Sequence, residues 1–186
     1  AQNAVAAEGT DGAILIKNEK HYNDQSLVTL NTAGSWIAKY PGELGNSIKV
    51  IVLDSGPSTG RDTDYDTWIA EFDDDPSTSD ACKALAGWSD TEIKDDSGTP
   101  VNDELHVLVI DSDGAWSGSA NTVLERYAYV SKASNAVHSD GTSNYYKKVI
   151  NKESKYIWWG QHANEADEPS SGSDDWGTDC GPGDGA

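Results

Sequence analysis

The chain has 186 residues, with 13 Lys and Arg against 32 Asp and Glu, and a formal net charge of −19. This length supports one domain, with at most a tail beside it. Phosphate backbones and anionic lipids repel so acidic a chain, so we expect no nucleic-acid or membrane partner. No segment is long and apolar enough to span a bilayer, and no basic-then-apolar leader opens the sequence.

Residue counts give two further expectations. The sequence contains no methionine, so we expect that Ala1 is not a translated start and that the chain is a processed or internal piece of a longer protein. The two cysteines, Cys82 and Cys180, are too few for a disulfide framework or a zinc site. We expect two free thiols, although the sequence also allows one disulfide between them. We expect no cofactor.

The chain reads as short strands separated by turn residues. Apolar and β-branched patterns predict strands over residues 13–16, 36–40, 47–53, 105–110, 122–130 and 155–159. For residues 122–130 the pattern also allows a helix. Short helices are predicted up to Leu85 and over residues 144–151, with Asp80 and Ser143 as their N-caps. The predicted fold is therefore α+β, a mixed β-sheet or two-layer β-sandwich-like domain with a few short flanking helices.

Composition changes near residue 160. From Gln161 onward there is no Lys or Arg, and Ser, Gly, Asp and Glu dominate. Such a segment cannot bury enough apolar surface to offset the entropy of ordering. We therefore divide the chain into a domain over residues 1–160 and an acidic linker or loop over residues 161–186.

Two clusters of residues indicate sharp changes of chain direction. Proline presets one turn dihedral and glycine accepts a positive φ, so a reversal is expected between the second and third strands, with a positive φ at one of its glycines. The second cluster follows the strand over 105–110, where Asp-Ser-Asp-Gly separates two strand-like segments. The predicted turn residues are Pro41, Gly42, Gly45, Asn46, Asp111, Asp113 and Gly114.

The Asp111-Ser-Asp-Gly114 segment has two physical interpretations. A buried strand that ends in Asp-x-Asp can deliver a nucleophile and an acid/base to a magnesium site in a phosphotransferase. That chemistry needs further phosphate and metal ligands, for which Lys147, Lys148 and the pair Asp174-Asp175 are poorly placed in a chain without alternating strand–helix units. Asp-Gly between two strands is the usual pattern of a hairpin. We therefore expect a turn in which both carboxylates are hydrated.

Other acidic patterns are also better explained as turns. Asp54-Ser-Gly resembles the carboxylate strand of an aspartic protease, but its second copy at Asp96 has no strand before it. Asp62, Asp64 and Asp66 have the opening spacing of a calcium loop, but the sixth position is Thr67 instead of glycine. These residues leave open an acidic calcium-dependent binding module, and the sequence offers no convincing enzyme.

Four phrases, taken in order, carry a family resemblance. They are YPGELGNSIKV at 40–50, DELHVLVIDSDG at 103–114, SGSANTVLER at 117–126, and SNYYKKVIN at 143–151 followed by YIWW at 156–159. In order and rough spacing they resemble the middle domain of the tail sheath proteins of contractile-tailed bacteriophages. The resemblance covers about residues 11–160, and the first phrase is its most specific part.

The resemblance implies a structural virion protein and no enzyme. Such sheath subunits stack in hexameric rings around a tail tube, and a metastable extended lattice contracts to drive the tube through the host envelope. The implied partners are neighbouring sheath subunits and, through parts of the parent protein outside this chain, the tube protein. The implied location is the phage tail, after assembly in the bacterial cytoplasm. The arms that link subunits by strand addition are not recognisable in this sequence.

Overall fold

The computed structural model describes residues 16–25, 34–54, 68, 71–72, 104–132, 134, 136–138 and 140–160. In chain order these contain α1 (Glu19–Asn23), β1 (Trp36–Ala38), α2 (Glu43–Asn46), β2 (Ile48–Asp54), β3 (Glu104–Asp111), β4 (Thr122–Ser131), α3 (Tyr146–Glu153) and β5 (Ile157–Trp159). The strands form two small antiparallel sheets, one of β1 and β5 and one in the order β2-β3-β4. The predicted α+β class, mostly strands with a few short helices, is confirmed.

Five of the predicted strands are present, with ends that differ from the prediction by at most two residues. The exception is the segment over 13–16, of which only Ile16 is described, and it lies outside any strand. The predicted helix over 144–151 begins later, at Tyr146. The hydroxyl of Ser143 accepts the N–H of Tyr145 at 3.3 Å, and the carbonyl of Tyr145 accepts the N–H of Val149 at 3.0 Å. The helical hydrogen bonds therefore start two residues later than predicted, at the carbonyl of Tyr145 instead of Ser143.

Several expectations concern residues outside the described part of the chain. They are the helix near Asp80, the thiols of Cys82 and Cys180, and the acidic segment over 161–186. The described residues contain no helix that is long and apolar enough to cross a membrane.

Strand β3 is the most deeply buried element that the structure describes. Its apolar side chains have no measurable exposure, from Leu105 through Val107 to Ile110. β3 lies between β2 and β4, so both of its edges are hydrogen-bonded. An unbroken apolar run bounded by turn residues is typical of such a strand.

The chain divides into two compact units, and the first comprises Ala1–Ile51, Leu108–Arg126 and Ile150–Glu168. β1 pairs with β5 there in the register Trp36↔Trp159, Ile37↔Trp158 and Ala38↔Ile157. The Tyr22 ring stacks on the Trp158 ring with centroids 5.3 Å apart. The Tyr22 hydroxyl donates to the Trp159 carbonyl at 2.8 Å and accepts from the Asn151 amide at 2.9 Å. Burial raises the pKa of Tyr22, and the hydrogen bond from Asn151 opposes that shift. The Tyr22 hydroxyl therefore anchors α1 to the small sheet through its two hydrogen bonds.

The second unit comprises Val52–Val107, Tyr127–Val149 and Pro169–Ala186. The buried His106 imidazole stacks on Phe72 and is perpendicular to Tyr129, with centroids 4.2 and 4.6 Å away. Its Nδ1 accepts the N–H of Tyr129 at 2.9 Å, and the Asn144 amide donates to the Tyr129 carbonyl at 2.8 Å. Tyr129 has φ +54°, which L-residues rarely adopt. The side chains of His106 and Asn144 therefore stabilise the unusual backbone conformation of Tyr129 within β4.

Candidate functional site

The most completely hydrogen-bonded side chain described is the carboxylate of Asp111, at the end of β3. Its Oδ1 accepts from the Ser47 hydroxyl at 2.5 Å and from the N–H of Gly114 at 3.1 Å. Its Oδ2 accepts from the N–H of Trp116 at 3.0 Å and from both the N–H and the hydroxyl of Ser117, each at 2.8 Å. An ionised carboxylate offers about four lone-pair sites. The five donors therefore occupy both oxygens.

Ser47 connects this carboxylate to the segment between β1 and β2. While its hydroxyl donates to Asp111, the same oxygen accepts the N–H groups of Asp113 at 3.1 Å and Ala115 at 3.3 Å. The Ser47 carbonyl accepts the N–H of Ser112 at 2.7 Å. The loop after β3, residues 112–121, is thus built on one buried carboxylate and one buried hydroxyl.

The expected hydration of Asp111 is wrong, because its side chain has no measurable exposure. Burial by itself would raise the pKa of Asp111, but hydrogen bonds from Ser47, Ser117 and Trp116 hold the pKa well below its usual range. The carboxylate is therefore ionised and internally solvated by the loop. The expectation holds for Asp113, which is exposed.

The two predicted turn clusters meet at this site. Gly42 has φ +76° and Gly114 has φ +82°, so the predicted positive φ at one glycine of the first cluster is confirmed. Gly45 and Asn46 lie in the single-turn helix α2, which follows the exposed Pro41. A Cβ at Gly45 would be 2.2 Å from the carbonyl oxygen of Tyr40. The absence of a side chain at Gly45 therefore lets α2 pack against the end of β1.

A second carboxylate organises the entry to β5 in a similar way. Glu125 accepts the Ser154 hydroxyl at 2.7 Å and the N–H of Lys155 at 2.8 Å. The Ser154 oxygen in turn accepts the N–H groups of Tyr156 at 3.1 Å and Ile157 at 3.0 Å. The ammonium group of Lys39 donates to the Ser154 carbonyl and lies 5.2 Å from the Trp158 ring centroid. Burial lowers the pKa of Lys39, and the charges of Glu125 and Glu19 oppose that shift.

Four residues, linked through contacts with Trp116 beside the Asp111 loop, form a partly exposed surface, which we call the aromatic patch: Tyr40, Leu44, Trp116 and Tyr156. The Trp116 ring is nearly perpendicular to Tyr40 and to Tyr156, with centroids 4.9 Å away in both cases. The indole N–H of Trp116 donates to the Leu44 carbonyl at 2.9 Å. Tyr40 is 45% exposed and Leu44 is 37% exposed. The patch therefore presents apolar surface to solvent on a frame fixed by hydrogen bonds.

The structure brings together few of the other candidate residues. Among the residues described, no group of three or more His, Cys, Asp or Glu side chains is placed to hold a metal ion. The possible calcium ligands Asp62, Asp64 and Asp66, the second protease-like copy at Asp96, and Asp174-Asp175 lie outside the described residues, as does the side chain of Asp54. Lys147, considered above as a possible phosphate ligand, lies in α3, and burial lowers its pKa.

Sequence inspection missed Ser47, Ser117 and Trp116 as partners of Asp111. Ser117 lies six residues after Asp111, beyond the two to four residues over which serine side chains usually bond to neighbouring groups. No local pattern identifies Ser47, which lies 64 residues before Asp111.

The sequence matches no protein-family model, no curated protein and no solved structure.

Proposed function

We propose that this chain is the middle domain of a contractile tail sheath subunit, a structural protein of a phage virion. The observation that carries the proposal is that three of the four phrases that resemble sheath proteins meet in one network. Ser47 belongs to the first phrase, Asp111 to the second and Ser117 to the third, and all three are hydrogen-bonded together. Because residues from three phrases bond to one another, these parts of the sequence depend on each other structurally, as the phrases of one domain family would.

The fourth phrase also supplies polar groups that fix the backbone. Asn144 donates to the Tyr129 carbonyl, while Asn151 donates to the Tyr22 hydroxyl and accepts the N–H of Trp159 at 2.8 Å. Buried polar side chains that satisfy backbone groups give a domain one well-defined geometry. Units with such fixed internal packing suit a subunit that keeps its local structure while it moves between two lattices.

The state of Asp111 favours this proposal over a phosphotransferase. A nucleophilic aspartate needs an oxygen directed at the phosphorus, and a magnesium ligand needs a free lone pair. Both oxygens of Asp111 accept hydrogen bonds within the protein, and three of the five donors are backbone N–H groups. Releasing an oxygen for chemistry would break at least two of these hydrogen bonds to a charged group, each of which contributes about 1.5–3 kcal/mol.

In the proposed sheath, mechanical work comes from contacts between subunits. Neighbouring subunits in stacked hexameric rings occupy a metastable extended lattice, and triggering moves them into a more stable contracted one. The bistable element is the interface between subunits, with the domain itself unchanged. The tail tube would be contacted through parts of the parent protein beyond this chain.

The proposal is tested by electron microscopy of the full-length parent protein after expression and purification. We expect striated tubes of uniform diameter formed without nucleotide. Dispersed particles at every salt and protein concentration tried, together with magnesium-dependent phosphatase activity that Asp111→Asn abolishes, would overturn it.

A further inference from the structure

We propose that the aromatic patch is a docking surface for a short, arginine-bearing segment of a partner protein. Tyr40 and Leu44 are two of the three large hydrophobic side chains with substantial exposure in the described part of the chain. They lie together on the first unit, beside the rings of Trp116 and Tyr156. Exposed tyrosine and tryptophan beside each other are typical anchors of protein recognition.

The patch is held in place before any partner arrives. The backbone N–H of Trp116 donates to buried Asp111, and its indole N–H donates to the Leu44 carbonyl. The Tyr40 ring packs edge-on against the Trp116 ring, with centroids 4.9 Å apart. A surface that is already ordered loses little conformational entropy on binding, which favours affinity from a small contact area.

The size of the patch points to a segment and not to a second copy of this chain. Stable interfaces bury about 800 Å² on each partner, or roughly 20–30 residues a side. Two exposed side chains and two half-buried rings offer much less. Two copies would also bring together chains that each carry a formal charge of −19, and such like charges repel.

Charge and ring chemistry identify the occupant as cationic. Two exposed acidic residues are close in sequence to the patch: Glu43 precedes Leu44 in α2, and Asp113 lies in the same loop as Trp116. Lys155, next to Tyr156, supplies one opposing exposed charge. The ammonium group of Lys39 is directed instead to the Ser154 carbonyl. Guanidinium groups stack on aromatic rings and pair with carboxylates, whereas a lysine ammonium is more strongly hydrated.

The test uses the full 186-residue chain and fluorescein-labelled twelve-residue peptides, as ~1 nM probes in fluorescence anisotropy. The probes carry four arginines, four lysines or four glutamines in the same Gly/Ser background. We expect the arginine peptide to bind more tightly than the lysine peptide, and the glutamine peptide to show no binding. Equal affinity for arginine and lysine would mean attraction by net charge alone and would overturn the proposal.

Matched variants separate the patch from the general negative charge. Tyr40→Ser combined with Leu44→Ser removes exposed apolar surface without changing the net charge, and should weaken arginine-peptide binding about three- to tenfold. Tyr40→Phe keeps the ring and should retain binding. Val137→Ser is the control, because Val137 is 40% exposed and belongs to the second unit. Unchanged affinity in the double variant, or equal weakening in Val137→Ser, would contradict the proposed surface. Binding does not require membership of a sheath, so the electron micrographs and these titrations can fail independently.

Discussion

Replacement of Asp111 by asparagine tests the network on which the site is built. The substitution keeps the shape of the side chain but replaces one acceptor oxygen by an NH₂ donor. If the NH₂ takes the place of Oδ2, it faces the N–H groups of Trp116 and Ser117. If it takes the place of Oδ1, it faces the N–H of Gly114 and the Ser47 oxygen, which already accepts two N–H groups. Either orientation leaves at least one N–H without an acceptor.

The size of the effect follows from these lost bonds. A hydrogen bond to a charged group contributes about 1.5–3 kcal/mol, and the asparagine loses at least one such bond and weakens the others by removing the charge. We expect the free energy of unfolding to fall by about 3 kcal/mol. For a chain of this size that corresponds to a melting temperature lower by roughly 6–12 °C.

Urea unfolding followed by tryptophan fluorescence measures this change. Asp113→Asn is the matched control, because it makes the same chemical change in the same loop on an exposed side chain. We expect the control to differ from the wild type by less than about 0.5 kcal/mol. If Asp111→Asn were as stable as the control, the hydrogen bonds to Asp111 would not stabilise the loop, and the reasoning would be refuted.

The same network predicts how stability depends on pH. The pKa of Asp111 is lowered in the folded protein, so the stabilisation by its ionised form is fully present above the ordinary carboxyl pKa of about 4. It is lost as the pH falls through the lower folded pKa. Wild-type stability should therefore fall more steeply below about pH 4 than that of Asp111→Asn. Parallel pH profiles for the two proteins would contradict this assignment.

Three further predictions concern packing, a buried acceptor and assembly. Gly45→Ala places a Cβ 2.2 Å from the Tyr40 carbonyl oxygen and should cost about 3 kcal/mol in urea unfolding, because a backbone atom must move. Gly118→Ala, where nothing lies within 4 Å but φ is +82°, should cost about 1 kcal/mol, and equal losses in the two variants would contradict the close packing at Gly45. His106→Leu removes the acceptor of the Tyr129 N–H and should lower the free energy of unfolding by about 1–3 kcal/mol. Unchanged stability in this variant would show that the bond does not stabilise β4. In sedimentation velocity the chain should be monomeric at low salt and associate more as the Debye length falls from ~10 Å at 0.1 M to ~3 Å at 1 M; a tight, salt-insensitive oligomer would refute this.

The strands were predictable because each has its own local signal. The apolar run over 105–110 is bounded by polar turn residues, and the pattern over 47–53 is rich in β-branched residues. Such segments bury at least one face in any compact fold, so their identity depends little on distant partners. The Pro-Gly reversal was predictable for the same reason, since the positive φ at Gly42 is a local property of the backbone.

The site was less predictable because its contacts are distant in sequence. An aspartate at a strand end has the same local pattern whether its carboxylate is hydrated or buried. The outcome for Asp111 was decided by the hydroxyl of Ser47, which lies 64 residues earlier, and by a loop that folds back onto the carboxylate. The local sequence predicts Gly45 as a turn residue, but Gly45 lies in the short helix α2. There it is needed because a Cβ would be 2.2 Å from the Tyr40 carbonyl oxygen, a contact that the local sequence does not reveal. The aromatic patch likewise draws on residues 40, 116 and 156, which no local pattern connects.

The most direct measurement of the proposed function is electron cryomicroscopy of assemblies formed by the full-length parent protein. We predict a helical lattice of stacked six-membered rings, in which this chain forms a layer between the inner wall and the outer surface. The Asp111 loop should be equally well ordered in extended and contracted lattices, because the proposed mechanism leaves the internal packing around Asp111 unchanged. A parent protein that forms no helical assembly, or one in which this chain refolds between the two lattices, would contradict the account.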